Sequence, residues 1–392
     1  MNARSIPASR TDELVRRLAD ARAQLRALML QLPEEGWLGP RAAHLNPPLW
    51  EYGHIVWFQE RWCLRARDDG SFSPALVDVA DALYDSSAVP HDTRWDLALL
   101  TPDAVDAYGA EVAAAVAERL QQHPDDAIAY YAELSLYHEL MHIEAWWMAF
   151  QNLGYAPPAH GIAPLASREG RVTLAAGEVE LGSAPGEGFV FDNEKWRHRV
   201  PVRGFDIDLR PVSETTYARF VDEGGYVTQT LWSEAGWHWR QSEAAMQPLY
   251  WRRAQDGWQT RRFDRWTSLD ADRPMLHVNR YEAEACAAWM GRTLPSAAEW
   301  LHAHRHSELD SGKGWEWLRD SFAPYPGFAP DAYRDYSAPW FHTHWELRGG
   351  SPYTDTALKR PGFRNFYLPH RRDPFAGFRT VSRDPLSLPS ST

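Results

Sequence analysis

Three histidines carry the most specific chemistry in this chain. His138 and His142 lie four residues apart in a run from about Asp126 to Leu153 that holds no Pro or Gly. Such a run reads as helix, and residues four apart on a helix share one face, a turn above each other. Two imidazoles placed this way can share a metal ion. Glu144 falls about 200° round the helix from His142, which suits structural work better than ligation. His54 is the candidate third ligand, set among the small or apolar neighbours Gly53, Ile55 and Val56. Three neutral imidazoles leave positions open for substrate and oxygen, and they suit zinc or ferrous iron; spacing alone does not choose between the two. Two histidines hydrogen-bonded in a helical core are the plainer alternative.

His138-Glu139-Leu140-Met141-His142 also matches the H-E-x-x-H pattern of zinc peptidases, with Glu139 as the base. That reading wants a third ligand downstream, where no candidate follows, and it leaves the second half of the chain without a role. No Gly-rich phosphate loop with Lys-Ser or Lys-Thr occurs, and neither G-x-G-x-x-G nor Gly-x-Ser-x-Gly is present.

Four helices are expected to position these residues. The first spans Thr11 to Leu32, with Thr11 as N-cap and Leu14, Leu18, Leu25, Leu28 and Leu32 near the 3.6 period. The second starts at Pro47-Pro48 and runs to about Arg67, carrying His54. A loop follows, rich in Asp, Ser and Pro. Thr101-Pro102-Asp103 then starts a third helix to about Gln122, and the fourth carries His138 and His142. Four such helices with one long connection predict an up-down bundle, where metal sites form from inward side chains of different helices.

Gly154 to Arg168 reads as a linker. Beyond it lie the short strand-like runs Val172-Thr173-Leu174, Val179-Glu180-Leu181 and Val200-Pro201-Val202. Helical stretches are expected over Thr215 to Glu223 and Tyr281 to Met290, in an α+β domain with long aromatic loops. The tail after Leu386 is rich in Ser and Pro. The predicted organisation is a helical bundle over 1–155, a linker over 156–170 and an α+β domain over 171–392.

Composition narrows the function. The 392 residues carry a net charge of −12, which argues against a general nucleic-acid or membrane-surface binder. The chain holds 20 Trp, 16 Tyr and 16 His, a density that predicts aromatic-rich loops. Cys63 and Cys286 are expected to be free and structural, which fits a reducing, cytoplasmic compartment. The first thirty or so residues lack an apolar core of the signal-peptide kind, and no apolar run approaches the ~18 residues of a membrane span.

The two halves also resemble known families. The first is similar to DinB-like bundles with the pattern His…His-Glu-x-x-His-x-Glu, matched by His54, His138, Glu139, His142 and Glu144. The second resembles the formylglycine-generating-enzyme fold, a C-type-lectin-like domain. Its marks are Phe191-Asp192-Asn193-Glu194, Trp289-Met290-Gly291-Arg292-Thr293-Leu294-Pro295, Trp315-Glu316-Trp317, Arg364-Asn365 and Phe375-Ala376-Gly377-Phe378-Arg379. Together, over about residues 10 to 382, they look like the non-heme iron synthases of ergothioneine and selenoneine biosynthesis. Formylglycine-generating activity itself is not expected, because it needs a cysteine pair and this half holds Cys286 alone.

The resemblance implies ferrous iron, Fe(II), on His54, His138 and His142. It implies oxygen-dependent joining of a sulfur or selenium donor to C2 of the imidazole of hercynine. Tyr333 and Tyr336 match a tyrosine pair that supplies a proton during oxygen activation. Asn365 and Phe366 match the segment that holds hercynine, with aromatic surface for the trimethylammonium group. Arg371, and less directly Arg94, match a role on the donor. Some thiol-using members carry Gln where this chain has Met141 and Asp where it has Tyr367. A carboxylate exchanged for a phenol suits a neutral, hydroxyl-rich donor, so the resemblance points to the selenoneine branch and a selenosugar. The alternatives are a hercynine sulfoxide synthase using cysteine or γ-glutamylcysteine, and a non-catalytic lectin-like binding protein with a structural metal. Small-molecule partners and a monomer or homodimer are expected.

Overall fold

The computed structural model describes residues 7–157, 163–166, 169–305 and 309–382. The chain divides into two compact units, Met1–Phe150 and Gln151–Thr392. Part of the expected linker and the Ser/Pro-rich tail lie outside the described residues.

The first unit is the expected bundle. Its helices are α1 (Ala8–Met29), α2 (Pro48–Glu60), a short α3 (Ala80–Tyr84), α4 (Pro102–Gln122) and α5 (Asp126–Leu153). The stripe of α1 buries Leu14, Leu18, Leu25 and Leu28 as its period requires. Thr11 does not cap it. The helix opens a turn earlier, after Pro7, whose fixed φ of −61° already leads into the first turn, and Thr11 is buried in the interior instead. Thr101 does cap α4, accepting a hydrogen bond from the Ala104 amide.

Every residue of α2 is buried. A helix with no solvent face must place each polar group against a partner. Gln59 accepts from Arg22 (3.2 Å), and Glu60 accepts from the Leu76 amide (2.7 Å) and from the Tyr108 hydroxyl. After Glu60 the helix widens into a π-turn, Arg61–Arg65, holding buried Cys63. α3 interrupts the loop between α2 and α4 and packs on α2. It has too few residues for a periodic pattern to reveal it.

The second unit is α+β. In chain order its elements are β1 (Arg171–Leu174), β2 (Gly177–Leu181), β3 (His198–Val202), β4 (Phe205–Asp208), α6 (Glu214–Asp222) and α7 (Glu234–Ser242). Then come β5 (Trp251–Ala254), β6 (Gly257–Arg262), β7 (Arg265–Ser268), α8 (Arg280–Trp289), β8 (Arg292–Thr293) and α9 (Ala297–His304). The last are β9 (Trp315–Ser321), β10 (Trp345–Arg348), β11 (Asn365–Tyr367), β12 (Ala376–Gly377) and β13 (Val381–Ser382). Two four-stranded sheets run in the orders β1-β4-β13-β8 and β11-β10-β9-β12, beside a β2-β3 hairpin and a β5-β6-β7 meander. One core cluster joins β2, β4 and α9 through Val179, Phe205, Ile207, Trp300 and Leu301.

The sheet that ends on β11 is stiffened by buried charge. Glu346 on β10 accepts from Arg348 (2.6 Å) and Arg364 (2.8 Å), and these side chains are at most 2% exposed. On neighbouring β9, Glu316 accepts from the Trp300 indole (2.8 Å) and is paired with Arg379. Arg364 therefore fixes the root of β11 rather than facing a ligand, and the next two residues, Asn365 and Phe366, are half-buried.

Candidate functional site

His54 and His138, both buried, and half-buried His142 converge within the bundle. The ligand atoms they offer lie within 4.8 Å of one another. His138 Nε2 is 3.3 Å from His54 Nε2 and 3.2 Å from His142 Nε2. Two of the rings are held from behind. His54 Nδ1 donates to the Tyr84 carbonyl at 2.8 Å, and His142 Nδ1 donates to Glu51 Oε1 at 2.7 Å. With the proton on Nδ1, each Nε2 presents a lone pair, and both lone pairs point toward His138.

His138 is held differently. It stacks on Phe58 (centroids 3.7 Å apart, planes 9° apart), and its Nδ1 has no hydrogen-bond partner among the described residues. Burial, followed by the neighbouring histidines, pushes the His138 ring well below 6.5 and the His54 ring down to about 3. Both are therefore neutral near pH 7, the form that ligates. Converging lone pairs on neutral, pre-oriented imidazoles repel one another unless a cation lies between them, so this donor set fits a divalent transition metal.

Sequence reasoning missed the groups behind the ligands. Glu51 lies one turn before His54 on α2, and nothing in the local sequence marks it as the partner of a histidine on another helix. Tyr84 contributes only its backbone, so its side chain gave no signal. Gly53 makes the Tyr84 contact possible, because a Cβ there would stand 2.2 Å from the Tyr84 ring.

Glu139 is not placed as a base. Its carboxylate is held by Arg22 through Nε (2.6 Å) and Nη2 (3.1 Å) and is 1% exposed. Met141 is half-buried on α5 between the two ligands of that helix. Arg94 is 8% exposed; it donates to Asn46 Oδ1 (2.7 Å) and to the carbonyls of Val89 (3.2 Å) and Ser86 (3.4 Å).

In the second unit, the Tyr333 and Tyr336 rings lie 6.2 Å apart. Tyr336 stacks on Phe191 at 4.0 Å and meets Phe366 edge-on at 6.1 Å. Phe366 in turn stacks on Phe322 at 4.1 Å. Burial first, then the carboxylate of Glu194, raises the Tyr336 phenol well above 10. The loop carrying both tyrosines is anchored at Ser337, which accepts from Asn193 Nδ2 at 3.0 Å and donates to Asp192. Asn365 Oδ1 accepts from the Phe366 amide (2.9 Å). The Arg371 guanidinium pairs with Asp373 and lies 5.6 Å from the Tyr367 ring. Cys286 and Cys63 are both free and buried. Among the described residues, no helix is long and apolar enough to cross a membrane.

Comparison with known proteins matches both units. Residues 17–152 match the DinB superfamily, and residues 160–313 match the sulfatase-modifying factor enzyme 1-like domain. The chain is 32% identical to the hercynine oxygenase of Mycobacterium tuberculosis, over 86% of this chain and 90% of that protein. It is also 32% identical to the hercynine oxygenase of Mycolicibacterium thermoresistibile, over 94% of each chain. The formylglycine-generating enzyme of Streptomyces coelicolor matches 38% of this chain, at 32% identity. Identity of 32% over 90% and 94% of the two hercynine oxygenases is decisive: the chain belongs to the hercynine oxygenase family.

Proposed function

We propose that this protein is a non-heme iron oxidoreductase that uses O2 to join a selenium donor to C2 of the hercynine imidazole. The observation that carries the reading is the convergence of three Nε2 atoms from α2 and α5, in a chain that aligns with 90% or more of two hercynine oxygenases. Fe(II) bound by His54, His138 and His142 supplies the oxygen and one-electron chemistry that side chains lack. The step balances with one oxygen of O2 kept on selenium and the other leaving as water with the C2–H and Se–H hydrogens. The remaining work falls to the chain. Glu51 and the Tyr84 carbonyl keep Nδ1 protonated on their ligands, which fixes ring orientation.

Tyr336 is suited to hold a proton, since its raised phenol stays protonated at neutral pH. Tyr333, next to it, is the second member of that pair. Phe366 offers a ring face to the trimethylammonium group, and Asn365 a polar contact to hercynine. Arg371 is the cation assigned to the donor. Tyr367 brings a phenol in place of a carboxylate, and Met141 an apolar side chain in place of an amide, which favours a neutral selenosugar over an amino-acid thiol.

The test is oxygen uptake by the full chain. It depends on both ferrous iron and hercynine, and it is lost in His138→Ala. Tight zinc with no oxygen uptake under any condition would instead support a binding protein with a structural metal.

A further inference from the structure

Arg94 reaches two of the three histidines by separate routes. The first is a hydrogen-bond relay. Arg94 Nη1 donates to Asn46 Oδ1 at 2.7 Å, Asn46 Nδ2 donates to Glu51 Oε2 at 3.3 Å, and Glu51 Oε1 accepts from His142 Nδ1 at 2.7 Å. The second is a stack. The Arg94 guanidinium lies 3.8 Å from the centre of the Trp50 ring, and Trp50 lies parallel to His54, with centroids 5.0 Å apart and planes 7° apart. Arg94 also donates to the carbonyls of Ser86 and Val89. It thereby ties down the segment that follows Tyr84, the carbonyl partner of His54.

The relay has a fixed direction. A guanidinium only donates, so the Asn46 amide must turn its oxygen toward Arg94 and its NH2 toward Glu51. Glu51 Oε2 is then taken by the Asn46 NH2, which holds Oε1 against His142 Nδ1. With the proton on Nδ1, Nε2 of His142 is left as a lone pair facing the other two ligands.

We infer that Arg94 is a positioning residue that, through Asn46 and Trp50, holds the carboxylate behind His142 and the ring plane of His54, preparing the metal site from outside it. The inference rests on the metal-site reading above. It gives Arg94 a use that does not involve the donor, consistent with its burial. Among the described residues, His138 has no such support and relies on its stack with Phe58.

The full-length, metal-free protein and its variants are titrated with cobalt(II) alone, and the histidine nitrogens are followed by long-range 15N–1H spectra. Arg94→Met lowers cobalt affinity about 10-fold, the low end for outer partners of a metal ligand. It also moves the Nδ1–H signals of both His54 and His142. Asn46→Asp keeps an acceptor for Arg94 but turns a carboxylate toward Glu51, so it weakens cobalt binding and moves His142 while leaving His54 in place. Asn46 is only half-buried, so this variant decides the matter if Arg94→Met does not fold. Parental affinity with unmoved histidine signals in folded Asn46→Asp overturns the inference. If the parent binds no cobalt, the metal-site reading fails, and the His142 Nδ1–H signal in the metal-free protein still tests the relay.

Discussion

Gly53→Ala is expected to destabilise the bundle and weaken its metal site, although alanine is normally the better helix residue. Inside a helix the exchange alone favours alanine by about 0.8–1.0 kcal/mol. Here the added Cβ would stand 2.2 Å from Tyr84 Cε1 and 2.3 Å from Cζ, against an ordinary carbon contact of about 3.5–4.0 Å. The ring must therefore move by more than about 1 Å. Tyr84 is fully buried and its hydroxyl accepts from the Leu100 amide at 3.3 Å, so no open space receives it. Overpacking of this kind costs roughly 1–3 kcal/mol, enough to offset the helical gain and leave a deficit of up to about 2 kcal/mol. The same displacement breaks the 2.8 Å bond from His54 Nδ1 to the Tyr84 carbonyl. Loss of such an outer bond lowers metal affinity roughly 10–100-fold, so the stability gained on adding metal shrinks by about 1.4–2.7 kcal/mol. Urea unfolding of the variant and its parent, each with and without metal, separates the two effects. A variant more stable than its parent, with the parental metal increment, would refute the reasoning.

Three further outcomes follow from the geometry. Tyr333→Phe should divert oxygen use from product formation to oxidation of the donor, read as oxygen consumed per product formed; an unchanged ratio removes Tyr333 from the proposed role. Glu346→Gln leaves Arg348 and Arg364 without their shared carboxylate in the interior, at a cost of about 3–5 kcal/mol in urea unfolding. A cost near zero would mean that the trio does not stiffen β10 and β11. Burial holds the His277 ring down at about 4, whereas an unfolded histidine titrates near 6.5. The unfolded chain therefore binds the extra proton between those values, and the contribution of His277 to stability is lost progressively as pH falls from about 6.5 through 4. His277→Asn, which tolerates the left-handed φ of 61° at this position, should flatten that part of the stability curve; an unaltered slope rejects the assignment.

What the sequence made legible follows from how local each signal is. The α5 ligands were readable because spacing on a single uninterrupted helix fixes their face. His54 required only that a second amphipathic or buried helix lie in the same bundle. The helical stretch expected over Tyr281 to Met290 is α8, opened by an Asn279–Glu282 capping box. The equivalent box at Ser296–Glu299 starts α9 and was passed over, because its eight residues sit in a Trp-rich stretch read as loop. α7 and the β5-β6-β7 meander were missed for a related reason: Arg side chains cover the indoles, as Arg252 does Trp266 at 4.1 Å, and the exposed face no longer alternates cleanly. The partners of the ligands were out of reach in a different way. Glu51, the Tyr84 carbonyl and Asn46 act across helices, and their roles depend on packing that no window of sequence contains.

The most direct test of the account is the mass of the product formed from hercynine and O2 by the iron-loaded protein, with a selenosugar, cysteine or γ-glutamylcysteine offered as donor. The account predicts oxygen-dependent loss of hercynine and a new adduct carrying the selenium isotope pattern with the selenosugar. A sulfoxide from γ-glutamylcysteine, with hercynine untouched in the presence of the selenosugar, would contradict it.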